Sequence, residues 1–237
     1  MKPWQLLGQT RTPDGSDMSL TARDGEFVIL VDGKTLMSSR AHGSEEALAS
    51  LACKHVATME QPHVLIGGLG MGYTLRATLD LLPSEASVTV AELVPEVVEW
   101  NRGALASLAA SPLKDRRVRV EVEDVGNPLR AHIDRFDVVL LDVDNGPAAF
   151  TATGNQGLYD NSGVAAAYAA LKVGGTLAVW SAWDDRKFEH RLRFHGFDSQ
   201  VDRVRARLKK GGVRHTIFLG FKQGGARAST QTERKMR

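Results

Sequence analysis

Between His63 and Ser181 five short β-rich runs alternate with helical segments, and this alternation constrains the fold more than any other feature of the chain. The runs are 63–67 (HVLIG), 87–91 (SVTVA), 117–122 (RVRVEV), 137–142 (DVVLLD) and 175–181 (GTLAVWS). Helical patterning lies between them, near 71–82, 95–109, 126–133 and 158–172. A parallel strand pair needs a crossover, and a helix supplies it, so the pattern predicts a parallel sheet covered on both faces. Pro95 suits a first helical turn, where its missing N–H costs nothing. Val97, Val98, Trp100, Leu105 and Leu108 keep the helical period. Gly174-Gly175 is placed as the C-cap of the last of these helices. A further helix over 185–195 is followed by two strands, near 199–205 and 213–220, joined by ARLKKGG. That connection is too short for a parallel crossover, so the pair forms an antiparallel hairpin.

Upstream, residues 17–38 alternate apolar and polar side chains, with Asp24-Gly25 and Asp32-Gly33 between the short runs. Asp-Gly in that setting is the strongest short hairpin signal. A small antiparallel meander of three strands is expected there. Gly43–Ala57 reads as a helix with Ser44 as N-cap and acids in its first turn. The fold class is therefore α/β: a doubly wound, mostly parallel sheet ending in an antiparallel hairpin, preceded by a small meander. That is the outline of a class I methyltransferase-like fold. Three parts are expected: meander plus helix over 1–60, a Rossmann-like domain over 61–222, and a basic, disordered tail over 223–237.

Composition narrows the class. The chain of 237 residues is 43% hydrophobic and 24% charged, enough for a full core in a soluble globular protein. No apolar stretch approaches the roughly 18 residues that span a bilayer. The N-terminus MKPWQLLGQTRTPDGSD lacks the apolar core of a signal peptide, so the expected location is cytoplasmic. Cys53 is the single cysteine, which excludes an internal disulfide and a cysteine-built metal site. Of the net charge of +2, residues 203–237 contribute eleven Lys or Arg against one Glu, leaving the preceding part at −8. A basic end attracts anions or nucleic acid. Few aromatics accompany it, so a solvated hairpin and tail is the preferred reading and no nucleic-acid partner is expected.

The chemistry begins at HVLIGGLGMGYTLRATL, residues 63–79, where Gly67, Gly68, Gly70 and Gly72 crowd between a strand and a helix. Such a loop brings backbone N–H groups and a helix N-terminus to a ligand, and its glycines allow tight turning and close approach. A glycine turn needed only for packing reads the same way. Context favours binding. Glu92, followed by Leu93, ends the second run 20 residues after Gly72 and is placed to take both hydroxyls of a ribose. Asp124, followed by Val125, stands after the third run, where it can accept from an adenine amino group, cap the next helix, or do both. Three strands ending in a glycine loop, an acid and an acid describe an adenosine pocket at the carboxyl edge of the sheet. The fourth run ends LLDVDNGP, which sets Asp142 and Asp144 near the reactive end of such a ligand. A carboxylate there can hold an amine cation or take its proton. Paired acids can instead bind a divalent metal, and Asn145-Gly146-Pro147 gives one of them a purely local turn role. His190, His195 and His215 lie in amphipathic or β segments and are assigned no role.

On these stretches the chain resembles the spermidine synthase family of aminopropyltransferases. The resemblance runs from about Gly25 to Gly220 and is carried by DGEFVILVDGKTLMSSRAHGSEEALASLA, VLIGGLGMGYTLR, VAELVPEVVEWNR, FDVVLLDVDNGP and LYDNSGVAAAYAALKVGGTLAVWS. It implies decarboxylated S-adenosylmethionine as donor, a polyamine-type amine as acceptor, no metal, and a homodimer joined partly through the N-terminal β-domain. Carried over, Glu92 binds ribose, Asp124 meets adenine and Asp142 deprotonates the attacking amine. The chain also departs from the family. The family loop Gly-Gly-Gly-Asp-Gly-Gly holds the donor's ammonium through its Asp, and Gly70 stands in that place. The family's aromatic-His-Glu or aromatic-Gln-Glu triplet reads Ser44-Glu45-Glu46, which keeps Glu46 and loses the aromatic. Asp-x-x-Asp-Pro is shortened to Asp142-x-Asp144. Trp183 is a candidate for a family tryptophan at the active site, or equally a core or surface aromatic. Two other readings stay open. One is a methyltransferase using intact S-adenosylmethionine, which the glycine loop fits equally and the missing acid at 70 favours slightly. The other is a non-catalytic nucleoside-binding relative with a closed or apolar pocket around Asp142.

Overall fold

In the computed structural model, which describes residues 2–143, 146–147, 156–206 and 213–224, the two Asp-Gly pairs turn the chain back on itself. Asp24 and Gly25 take φ of 49° and 79°, and Asp32 and Gly33 take 48° and 73°. Both central residues of each turn are thus left-handed, as hairpin turns matched to strand twist require. They join β2 (Asp17–Arg23), β3 (Glu26–Val31) and β4 (Lys34–Ser38). The expected three-strand meander is in fact a four-strand sheet, because β1 (Gln5–Arg11) pairs antiparallel with β2. Its own sequence hides it. The strand is mostly exposed, and its register shifts between Leu6 and Gly8. A side chain at Gly8 would collide with the indole of Trp100, so this strand is seated by a residue of the larger domain.

The second sheet has seven strands: β5 (His63–Gly67), β6 (Ser87–Glu92), β7 (Val118–Val122), β8 (Phe136–Leu141), β9 (Leu171–Ser181), β10 (Phe197–Arg205) and β11 (Arg214–Lys222). Their order is β10-β11-β9-β8-β5-β6-β7. Strands β9, β8, β5, β6 and β7 are parallel, and β11 enters antiparallel between β9 and β10. The order reverses between β5 and β8, and in such sheets a ligand crevice opens there, outside the carboxyl ends of the strands. The helices are α1 (Gly43–Cys53), α2 (Tyr73–Leu81), α3 (Pro95–Arg102), α4 (Gly126–Ala131), α5 (Gln156–Tyr159), α6 (Asn161–Ala170) and α7 (Arg186–Phe194). Both faces of the sheet are covered, so β8 is buried at every position. Val138 and Leu140 join one apolar cluster with Val64, Ile66, Leu48 and Leu75. Val139 and Leu141 join the other with Leu65, Val179 and Phe188. The first cluster also takes Met18, Leu20 and Ile29 from the small sheet, so the two sheets share a core.

Several boundaries differ from the sequence expectation, each for a local reason. Helix α3 stops at Arg102 because Gly103 closes it, its N–H bonded back to the carbonyls of Glu99 and Trp100. The helix expected over 158–172 is two, since the Asp160 carboxylate accepts from the N–H groups of Ser162 and Gly163 and starts a new one. Gly174-Gly175 is not a helix C-cap. Helix α6 ends at Ala170, Leu171 already pairs with Phe136, and the glycines lie within β9 where its register against β8 shifts. Ser44 does not cap α1; His42 occupies that position, and the Ser44 hydroxyl is engaged elsewhere. The connection 207–212 and the tail 225–237 lie outside the described residues. Among the described residues no helix is long and apolar enough to cross a membrane.

One buried charge fastens β8 to its neighbours. Asp137 is 4% exposed and accepts from the His63 N–H at 2.8 Å and from Lys172 Nζ at 2.7 Å. Asp137→Ala leaves the His63 N–H without this acceptor. It is expected to cost about 2 kcal/mol, the order of a buried charge-assisted hydrogen bond. Denaturant unfolding would show a lower midpoint with an unchanged slope.

Candidate active site

Strand β5 ends at Gly67, and the chain then passes so close to the end of β8 that only glycine fits. Gly68 has φ of +88°, and a Cβ there would overlap the carbonyl oxygen of Asp142. Two backbone bonds hold the approach: Gly68 N–H to Ala91 O and Asp142 N–H to Gly67 O, both 2.9 Å. The ends of β5, β6 and β8 are thereby drawn together. Gly67 itself packs on the side chain of Val125. Further along, Gly70 has φ of +52°, and a Cβ would lie 2.9 Å from the Sδ of Met37. The thioether comes from β4 of the small sheet and lies over the loop. Gly72 caps α2, and the Asn101 amide donates to the carbonyl of Gly70 at 2.8 Å.

Glu92 closes this arrangement from the end of β6. It is 7% exposed, and each carboxylate oxygen accepts a backbone N–H: Leu69 at 2.8 Å and Val94 at 2.9 Å. Burial raises its pKa, and the N–H groups of Val94, Leu69, Gly70 and Leu93 oppose the rise. The side chain of Leu93 is exposed beside it. Asp124 accepts from the Gly126 N–H at 2.6 Å, so it does act on the start of α4.

Asp142 follows β8, half-buried. Thr74, in the first turn of α2, donates to its Oδ2 at 2.5 Å. On the other side stands Glu45, 6% exposed at the start of α1. Burial raises the Glu45 carboxyl to about 7, with the charge of Asp142 as the next cause. Burial likewise pushes Asp142 up to about 6, against the Thr74 hydrogen bond. The charge of Asp142 thus adds to burial in disfavouring the ionised form of Glu45. Tyr73 lies beside them; its hydroxyl is raised by burial and by the charges of Glu45 and Glu46. His42 stacks on Tyr73 at 4.1 Å and bonds Glu46 through Nδ1 at 2.8 Å. The Ser44 hydroxyl donates to Glu45 Oε2 at 2.6 Å and meets His215 Nδ1 at 2.9 Å.

The structure thus gathers Gly67, Gly68, Gly70, Gly72, Glu92 and Asp142, with Val125 packed behind. Asp144 lies outside the described residues. Trp183 is 53% exposed beyond the end of β9. Among the described residues no group of three or more His, Cys, Asp or Glu is arranged to hold a metal. Sequence reasoning passed over Thr74, Tyr73, Asn101, Met37 and His215. It offered both Glu45 and Glu46 as charges for the site; Glu45 is buried and feels the charge of Asp142, while Glu46 bonds His42.

Comparison with known proteins agrees with this architecture. The model of the spermine/spermidine synthase domain family matches residues 43–204. No curated protein sequence matches the chain. Among solved structures it is similar to a spermidine synthase from Thermotoga maritima, with 19% identity and a TM-score of 0.72 over 92% of this chain and 73% of that one. A spermidine synthase in complex with the transition-state analogue AdoDATO gives 19% and 0.70, over 92% and 72%. A probable spermidine synthase from Corynebacterium glutamicum gives 17% and 0.64, over 90% and 79%. At these identities the structural likeness speaks for the fold.

The acid pair predicts a pH dependence of stability. Both folded pKa values lie above the ordinary carboxylate range, so the folded state holds these protons more tightly than the unfolded one. Their contribution is favourable at low pH and is lost as pH rises through about 6 and about 7. Glu45→Gln removes the Glu45 share of the effect. The thermal midpoint of the variant relative to wild type should therefore climb between about pH 5 and about pH 8. A difference that does not move with pH would contradict the pairing.

Proposed function

Because the chain belongs to the spermine/spermidine synthase family, we propose that it transfers an aminopropyl group from decarboxylated S-adenosylmethionine to a polyamine-type amine. The observation that carries this reading is the buried Glu45, close enough to the half-buried Asp142 beside the glycine loop to feel its charge. Among the described residues neither acid has a Lys or Arg ion pair. A cationic amine brought to them offsets their desolvation and mutual repulsion. Intact S-adenosylmethionine carries an extra carboxylate at its amino-acid end, which the same acids repel.

The remaining residues take the nucleoside. Each Glu92 oxygen uses one lone pair on a backbone N–H and keeps another for a ribose hydroxyl. Asp124 and Val125, behind Gly67, would line the adenine, and the exposed Leu93 would cover the sugar. In the reaction a neutral amine nitrogen attacks the methylene carbon next to the sulfonium. The C–N bond forms as the C–S bond breaks, and methylthioadenosine leaves uncharged. The nitrogen's proton goes to Asp142, and Asp144 is the proposed counter-charge for the ammonium form. A homodimer joined partly through the four-strand sheet is part of the same reading, with Trp4, Leu6, Leu7 and Leu36 exposed there.

Methyl transfer from the intact donor is the second reading, and Gly70 favours it, because the loop carries no carboxylate for an aminopropyl ammonium. Calorimetric titration with both donors separates the two. Binding of the decarboxylated form is expected. Binding of the intact form alone sinks aminopropyl transfer, and binding of neither leaves a non-catalytic nucleoside-binding relative. Asp142→Asn is expected to lower kcat by about 10²–10⁴ while sparing donor affinity, as loss of a general base does. Activity undiminished in that variant means that another group is the base.

Gly70→Asp offers a gain-of-function check. Asp tolerates a left-handed φ better than most side chains, and the thioether in its way is the flexible end of Met37. Affinity for the decarboxylated donor should rise about tenfold, near the worth of one charge-assisted hydrogen bond. The intact donor, whose carboxylate the new acid repels, should gain less.

A further inference from the structure

We propose that His215, acting through the Ser44 hydroxyl, is the proton outlet of the Glu45–Asp142 site; this rests on the aminopropyl-transfer reading above. Each transfer to an amine leaves a proton shared between the half-buried Asp142 and the buried Glu45. That proton has to leave before the next amine is deprotonated. The contacts around Glu45 offer one continuous side-chain path. Ser44 Oγ donates to Glu45 Oε2 at 2.6 Å, and His215 Nδ1 is 2.9 Å from the same Oγ. His215 sits half-buried on β11, edge-on to Trp180 at 4.5 Å. The path therefore runs from the buried Glu45 to a half-buried ring.

The other groups near the acids already have hydrogen-bond partners of their own. From α2, the Tyr73 hydroxyl donates to Ser39 O at 3.3 Å, and Thr74 donates to Asp142. From α1 itself, Glu46 pairs with His42. Beyond the end of β8 stands Asp142, and from β11 comes His215.

The hydroxyl of Ser44 has one proton, which orders the chain. With Glu45 ionised, Ser44 donates to it and must accept from His215 Nδ1–H. With Glu45 protonated the chain reverses, once the neutral ring has given up its Nδ1 proton and taken one from water at Nε2, so that Nδ1 is free to accept. The Glu45 O–H bond breaks as that proton joins Ser44 Oγ. The original Ser44 O–H bond breaks as its proton joins His215 Nδ1. The imidazolium then loses its Nε2 proton to water, which leaves a neutral ring with Nδ1–H and restores the starting order. No atom is gained or lost beyond one proton delivered to solvent. Burial lowers the pKa of His215, so the ring passes the proton on instead of keeping it.

The test uses the full chain with decarboxylated S-adenosylmethionine and a panel of diamines. His215→Gln keeps a side-chain hydrogen bond to Ser44 but cannot relay a proton, and Ser44→Ala breaks the path at its middle. Both should lower kcat about tenfold or more, with KM for the amine and affinity for the donor unchanged. His215→Ala should recover activity in proportion to added imidazole. Full kcat in His215→Gln, or no rescue in a folded His215→Ala, overturns the proposal. If wild type turns over no amine, the transfer reading itself has failed. The link is then decided by nitrogen NMR of the His215 ring: Glu45→Gln should change which ring nitrogen holds the proton, and unchanged shifts would overturn the link.

Discussion

The carboxylate of Glu92, held by backbone N–H groups from two chain segments, is the contact on which the site depends. A buried carboxylate is expensive unless donors surround it. Here the donors are the loop after β5 and the turn after β6, so satisfying the charge also locks those turns together. The path of the loop follows, and with it the start of α2. That start sets Thr74 on Asp142 and Tyr73 against His42. Removing the carboxylate would therefore disturb more than one ligand contact.

The opposite wall has a different origin. Helix α1 reaches the crevice because Gly43 N–H bonds the carbonyl of Ala206 at 2.9 Å and Ser44 meets His215 on the antiparallel strand. The strand that distinguishes this sheet from a wholly parallel one thus positions an acid at the crevice. The small sheet adds Met37 from above. The crevice is built from three remote parts of the chain, and its charge comes from the side opposite the loop.

Much of this was legible in the sequence, because strand ends are. The alternation of β-rich runs with helical segments marked β5, β6, β7 and β8, and Glu92, Asp124 and Asp142 stand where the last three of them stop. Asp-Gly pairs marked the hairpins through backbone geometry alone. What was hidden is what depends on distant partners. Strand β1 carries no pattern of its own and relies on Trp100. Gly174-Gly175 looked like a cap because glycines stop helices, yet they serve a shift of strand register. Glu45 and Glu46 are adjacent, and adjacent helical positions point about 100° apart. Which one is buried within reach of the Asp142 charge depends on how α1 is seated, and no local signal records that. His215 lies on a β segment with nothing nearby in sequence to mark its contact with Ser44.

Met37 and Gly70 carry a consequence for how such a site can change over generations. The left-handed backbone at 70 admits Asp, so an acid is one substitution away as far as the loop is concerned. The thioether occupies the space above it. The effects of substitutions at the two positions are therefore coupled and will not add. The order in which they arise decides whether the intermediate is tolerated, so a residue in a peripheral strand gates which ligands the central loop can acquire.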